Sequence, residues 1–243
     1  MGVLSGRKAV VTGGSRGIGR AVVERLARDG AEVVFSYVNH EEAANEVAST
    51  VGGKAFPIRA DLGRPADIRA LFQEADDRLG GLDIAVLNAG IVVTGTIDAV
   101  SEATYDQVMD VNAKGTFFSL QEAARRVRDG GRIVAVSTLN TVLPYPSNAL
   151  YSASKAAVEQ FAAIAAKELG ARGITVNTVS PGATDTDMLR GANPEEVLRL
   201  MRSMSPLGRL GEPADVGDVI AFLVGPDGRW MTGQNLRAGG GIA

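Results

Sequence analysis

The chain has 243 residues, 45% of them hydrophobic, and 28 acidic against 25 basic residues give it a net charge of −3. That length is enough for one substantial core, and the near-neutral balance, without a basic cluster interleaved with aromatics, argues against nucleic acid or anionic membrane as partners. The chain has no cysteine and a single histidine, His40, which excludes disulfides, thiolate sites, a cysteine nucleophile and multi-histidine metal centres, so no metal site is expected.

Met1 to Arg7 leads straight into a short apolar run with no signal-peptide pattern, and Gly6 stands where a myristoylation motif wants Ser or Thr. No apolar run approaches the ~18 residues that span a bilayer, and a soluble, cytoplasmic protein is expected. Short β-branched runs then alternate with longer amphipathic ones, the pattern of a parallel sheet wrapped by helices. Strands are expected at 9–11, 32–35, 55–58, 84–87, 133–136, 175–179 and 234–237. Between the first two, Ile18, Ala21, Val22, Leu26 and Ala27 recur at helical spacing and stop at Gly30, a C-terminal cap. Further helical patterns cover 65–79, 102–128, 151–169 and 215–224. The expected fold is a single-domain, Rossmann-like, doubly wound α/β sheet over 1–243, with ligands bound outside the carboxyl ends of the strands.

The segments that follow the strands carry the chemistry. After the first, Thr12-Gly13-Gly14-Ser15-Arg16-Gly17-Ile18-Gly19 opens a helix. Its spacing is GxxxGxG rather than GxGxxG, but its glycines let the backbone approach a pyrophosphate on the helix N-terminus. A plain reversing turn is the alternative, and the position at the head of a βα series favours the dinucleotide. After the second strand, Tyr37 occupies the place where an Asp or Glu commonly binds the ribose 2′-hydroxyl. Nothing there repels a 2′-phosphate, Arg16 offers a cation to pair with it, and Ser36 and Asn39 can add hydrogen bonds. NADP(H) is therefore preferred over NAD(H), with Glu41 and Glu42 arguing mildly the other way. Asp61, after the third strand, suits an adenine amino group or the N-cap of the helix that starts near Pro65. In Asn88-Ala89-Gly90, after the fourth, the small residues leave room for a sugar or for close helix packing. Tyr151 and Lys155 stand four residues apart, one turn on a helix face. An ammonium beside a phenol favours the phenolate and draws its pKa towards neutrality, although an isolated pair at this spacing also arises by chance.

With Asn112 and Thr138, these residues resemble the short-chain dehydrogenase/reductase family in its compact single-domain branch. The resemblance runs from the glycine loop through Leu87-Asn88-Ala89-Gly90 and Tyr151-Ser152-Ala153-Ser154-Lys155 to Pro181-Gly182 and Gly233-Gln234. Gly208-Arg209-Leu210-Gly211-Glu212-Pro213 and Pro226-Asp227-Gly228-Arg229-Trp230 also look like the subgroup of hydroxynaphthalene reductases and 3-oxoacyl-carrier-protein-reductase-like enzymes. The resemblance implies that Tyr151 exchanges a proton with a carbonyl or alcohol oxygen as hydride passes to or from nicotinamide. It implies that Lys155 lowers the tyrosine pKa and holds the ribose, and that Asn112 anchors a water. Cofactor contacts are implied at Gly13, Ser15, Arg16, Gly17, Ile18, Gly19, Ser36, Tyr37, Asn39, Asp61, Leu62, Asn88, Ala89, Gly90, Tyr151, Lys155, Pro181, Gly182, Thr184 and Thr186. The family's catalytic serine falls in register with Thr138; Ser137 takes that role only if the strand end is shifted or bulged. Ala238 departs from an Asp that is frequent in the family.

The segment 187–206, with Met188, Val197, Leu200, Met201 and Met204, suits an amphipathic helix packed on the core or, by resemblance, a substrate lid. Methionines suit an adaptable apolar pocket, and an apolar or cyclic ketone or quinone is the expected substrate. The alanine-rich helices at 102–128 and 151–169 are implied subunit interfaces of a homotetramer. Two other readings compete. Ser152 to Lys155 matches S-x-x-K, but no Ser-Asp-Asn or Lys-Thr-Gly accompanies it. The threonine at 138 raises the alternative of a catalytically weak NADPH-binding sensor or interaction protein.

Overall fold

The computed structural model describes residues 2–243. Strands β1 (Lys8–Thr12), β2 (Glu32–Tyr37), β3 (Ala55–Arg59), β4 (Leu82–Leu87), β5 (Val127–Val136), β6 (Thr175–Pro181) and β7 (Asn235–Ala238) form one parallel sheet in the order β3-β2-β1-β4-β5-β6-β7. Alternation along the strands feeds two cores. Val10, Val34, Ala85, Leu87, Ile133 and Ala135 pack on one face, under α3 (Pro65–Leu79), α5 (Gly115–Arg126) and α6 (Ala149–Leu169). Ala9, Val11, Val33, Phe35, Ile84 and Val86 pack on the other, under α1 (Gly17–Arg28), α2 (Glu41–Thr50) and α9 (Pro213–Val224). Burial on both faces is why these strands read as continuous apolar runs. The strand order reverses between β1 and β4, which opens a crevice at their carboxyl ends.

Several elements differ from the sequence-based expectation. Helix α2 was not anticipated, because its ten residues bury only Ala44 and Val47, too thin a stripe to show periodicity. The continuous helix expected over 102–128 is broken. Helix α4 (Glu102–Met109) passes through a π-helical turn, Asp110–Lys114, into α5, which stops at Arg126. At the junction Gly115 packs so closely on the Leu62 carbonyl that no Cβ would fit, and the widened turn carries Asn112 inward to full burial. Strand β5 starts earlier than expected, with a register break: Leu82 pairs with Val127 and Ile84 with Arg132, so the residues between leave the ladder. Segment 187–206 forms two helices, α7 (Asp187–Ala192) and α8 (Glu195–Met204), separated at Pro194, which precedes the first turn of α8. Gly30 follows the Asp29 cap of α1 at φ 106°, a conformation glycine adopts without strain. Among the described residues no helix is long and apolar enough to cross a membrane, and no cluster of ligating side chains could hold a metal.

Candidate active site

The turn between β1 and α1 is held from both sides. Gly13 and Gly17 take left-handed conformations (φ 69° and 55°), while a Cβ on Gly14 would strike the Phe35 side chain, 2.6 Å away. Gly13 N–H donates to Ser36 Oγ at 2.9 Å. From β4, the Asn88 amide donates to the carbonyls of Thr12 and Gly13 at 3.1 and 3.0 Å. Thr12 Oγ1 in return accepts the Asn88 and Ala89 N–H groups, each at 3.0 Å. Arg16 caps α1 through its backbone only, with no side-chain cap bond, so the first N–H groups of the helix remain available to an anion. Its side chain is exposed and, among the described residues, forms no ion pair.

The turn opens into a cleft of about 790 Å³ across the carboxyl ends of the strands. Gly13, Ser15, Arg16, Gly17, Ile18, Gly19, Tyr37, Asn39, Asp61, Leu62, Asn88, Ala89, Gly90, Pro181, Gly182, Thr184 and Thr186 all line it, together with Ser36, Ser137, Thr138, Tyr151 and Lys155. Glu41 and Glu42 start α2 outside the lining. Two residues of this half also brace the structure. Ser36 is fully buried and its oxygen accepts the Gly13 N–H, so it supports the glycine turn while lining the cleft. Asp61 does not cap α3: Arg64 holds that position, and Asp61 Oδ1 accepts the Gly63 N–H at 3.0 Å.

At the other end of the cleft, helix α6 presents Tyr151 and Lys155 one turn apart. The Tyr151 phenol lies near the Thr138 hydroxyl, which favours its ionised form, and Thr138 Oγ1 accepts the Asn140 N–H at 3.3 Å. The Ser137 hydroxyl is directed away, donating to Glu159 Oε1 at 2.7 Å. Lys155 Nζ donates to the Val136 carbonyl at 2.8 Å, and burial pushes its pKa down to about 8. Burial also raises the Tyr151 phenol above its ordinary value, with the Thr138 hydroxyl opposing. This reverses the expectation of a phenol drawn towards neutrality by its lysine. Desolvation disfavours both charged forms and outweighs their attraction when the ammonium is turned to a backbone carbonyl.

Asn112 is the one candidate that does not line the cleft. From the π-turn its Oδ1 accepts the Ile91 N–H at 2.8 Å, and its Nδ2 donates to the Ile91 carbonyl at 2.9 Å and to Ser154 Oγ at 3.0 Å. The Ser154 proton goes to the Tyr151 carbonyl at 2.7 Å. The side-chain amide is thus a clamp between the segment after β4 and the first turns of α6. Gly90 completes the corner: a Cβ there would lie 3.1 Å from Lys155 Nζ and 3.2 Å from Asn112 Oδ1.

Sequence reasoning missed much of the remaining wall, supplied by Val92, Thr94, Leu143, Tyr145, Asn148 and Ile242 together with the methionines of α7 and α8. These positions come from loops and from the C-terminal turn, where Ser205 Oγ donates to the Gly240 carbonyl at 3.2 Å, and no motif marks them.

The family model described as enoyl-(acyl carrier protein) reductase matches residues 13–243. A tetrahydroxynaphthalene reductase of Pestalotiopsis fici is 37% identical over 253 residues, covering 98% of this chain and 91% of that protein. A short-chain dehydrogenase of Burkholderia cenocepacia, solved in complex with NADP, superposes with a TM-score of 0.94 at 40% identity over 98% of both chains. The angucycline C-6 ketoreductase LanV, solved with bound NADP, gives a TM-score of 0.94 at 42% identity over 99% of this chain and 97% of the other.

Proposed function

The chain belongs to the short-chain dehydrogenase/reductase family, an oxidoreductase family, and from that premise we propose that it is an NADP(H)-dependent reductase of apolar, ring-containing ketones or quinones. The observation that carries the reading is the gathering of Thr138, Tyr151 and Lys155 at one end of a cleft whose other end is the glycine turn. The residues fit a dinucleotide. Glycines at 13 and 17 keep the turn free of side chains, the N-terminus of α1 lacks a side-chain cap, and unpaired Arg16 beside carboxylate-free Tyr37 suits a 2′-phosphate.

When bound, the nicotinamide supplies hydride. Tyr151 gives its proton to the substrate oxygen, and its raised pKa keeps the phenol in the donating form at neutral pH. The Thr138 hydroxyl, oriented by the Asn140 N–H, donates to the same oxygen and stabilises the charge that develops there. Lys155, beside Gly90, holds the cofactor ribose and restores the positive field that the phenolate needs after proton transfer. Met188, Val197, Met201 and Met204 give the substrate end an apolar, adaptable wall, and residues 187–206 act as its lid. The names of the naphthalene reductase and the angucycline ketoreductase support a ring-containing substrate. We further propose a homotetramer, with the one domain, 1–243, as its subunit.

The test follows NADPH absorbance against a panel of cyclic ketones and quinones, with small sugars for contrast. Turnover of the ring compounds is expected, and Tyr151→Phe should lose about 1,000-fold or more in kcat while NADPH affinity stays. Tight NADPH binding without turnover of any carbonyl would instead establish a sensor, and near-normal activity in Tyr151→Phe would overturn the mechanism.

A further inference from the structure

We propose that Glu159 is a positioning residue, which from behind the cleft fixes the end of β5 and the turn after it so that the Thr138 hydroxyl faces the Tyr151 phenol. The inference rests on the reductase reading above and assigns the group that holds its hydroxyl in place. Glu159 lies one turn beyond Lys155 on α6 and does not line the cleft. Its Oε1 accepts the Ser137 hydroxyl at 2.7 Å and the Thr141 hydroxyl at 2.8 Å. Ser180 Oγ, from β6, lies farther off at 3.4 Å and has a shorter partner in Asn235 Oδ1 at 2.8 Å.

A carboxylate oxygen has two lone pairs, so the two short bonds occupy Oε1, and both are of the stronger, charge-assisted kind. Their donors flank Thr138 in sequence: Ser137 directly follows β5 and Thr141 closes the 3-10 turn Leu139–Thr141. The one Thr141 proton is shared between Oε1 and the Thr138 carbonyl, 3.0 Å from Thr141 Oγ1, so Oε1 holds side chains on both sides of one residue. Thr138 itself is extended (φ −160°, ψ 152°), and neighbouring side chains in extended backbone point to opposite sides. Anchoring Ser137 on Glu159, which stands behind the cleft, therefore leaves Thr138 on the other side, facing the cleft that Tyr151 also lines. The Ser137 hydroxyl, which the mechanism leaves unused, gains a function as the strand-end anchor.

The test uses the full-length protein with Glu159→Leu and Glu159→Gln, each also combined with Thr138→Ala. Glu159→Leu should lower kcat by about 10- to 100-fold, the effect of misplacing a group by a fraction of an ångström to an ångström, with NADPH affinity unchanged. The Tyr151 titration, read as phenolate absorbance after subtraction of Tyr151→Phe, should move to higher pH, because the Thr138 hydroxyl that holds it down is displaced. Glu159→Gln keeps an oxygen that accepts both hydroxyls and should stay within about threefold of the parent. In the Thr138→Ala background Glu159→Leu should cost nothing further. If Glu159→Leu folds poorly, Ser137→Ala with Thr141→Val removes the donors in place of the acceptor and should give the same kcat loss and titration shift.

Parent-like kcat with an unmoved titration would overturn the proposal, as would an equal loss in both backgrounds. A parent protein that turns over no carbonyl refutes the reductase reading, and the titration alone then decides the role of Glu159.

Discussion

Lys155 is buried with one hydrogen-bond partner, the Val136 carbonyl, and its pKa is pushed from 10.5 to about 8. Below pH 8 both folded and unfolded chains hold the proton, and the folded state bears the whole cost of a buried ammonium. Between pH 8 and 10.5 the unfolded chain binds more protons, so stability rises with pH across that window. Tyr151, raised above its ordinary 10.0, acts in the opposite sense, but only above pH 10. Lys155→Met should therefore stabilise the cofactor-free protein by about 2 kcal/mol at neutral pH, the ionisation cost less one hydrogen bond. The gain should fade towards pH 10, as denaturant midpoints at a series of pH values would show. The placement of Tyr151 and Lys155 one turn apart on one helix was legible from their spacing. The direction of the tyrosine shift was not, because it depends on how deeply both groups are buried, and the roles of Ser137 and Thr138 depend on how the strand ends.

The β1–α1 turn was the most legible element, since left-handed backbone at Gly13 and Gly17 and the contact of Gly14 with Phe35 leave no other residue type at ease. Arg16 at its tip is the only charge the turn offers a 2′-phosphate. Arg16→Glu should weaken NADPH binding by about 10- to 100-fold, the worth of a charge-assisted pair, and leave NADH binding within a few-fold, both read by fluorescence titration. Equal losses for the two cofactors would place the 2′-phosphate elsewhere. The π-turn over Asp110–Lys114 lies at the other extreme of legibility. Apolar periodicity continues through it, and it is accompanied by the close approach of Gly115 to the Leu62 carbonyl, a contact between segments about 50 residues apart.

At the scale of the molecule, the two-sided apolar sheet followed from composition and alternation, and the strand order obeys the switch-point rule that located the cleft. The outer faces of the helices carry apolar side chains the single chain leaves in water: Phe117 on α5, Ile164 on α6 and, after α9, Trp230 at 95% exposure. The proposed homotetramer buries such faces. Light scattering should give about four times the 25.2 kDa chain mass, and Phe117→Asp with Ile164→Glu should reduce it; a monomeric parent would refute the assembly. The cleft itself is divided in its construction. The half proposed to hold the cofactor is stitched by bonds among Thr12, Gly13, Ser36 and Asn88, whereas the far wall is built from loop, α8 and C-terminal side chains such as Tyr145, Met204 and Ile242. Under the proposed function, mutation of the far wall leaves the bonds of the glycine turn in place, and a descendant acquires a new substrate while inheriting its reductant.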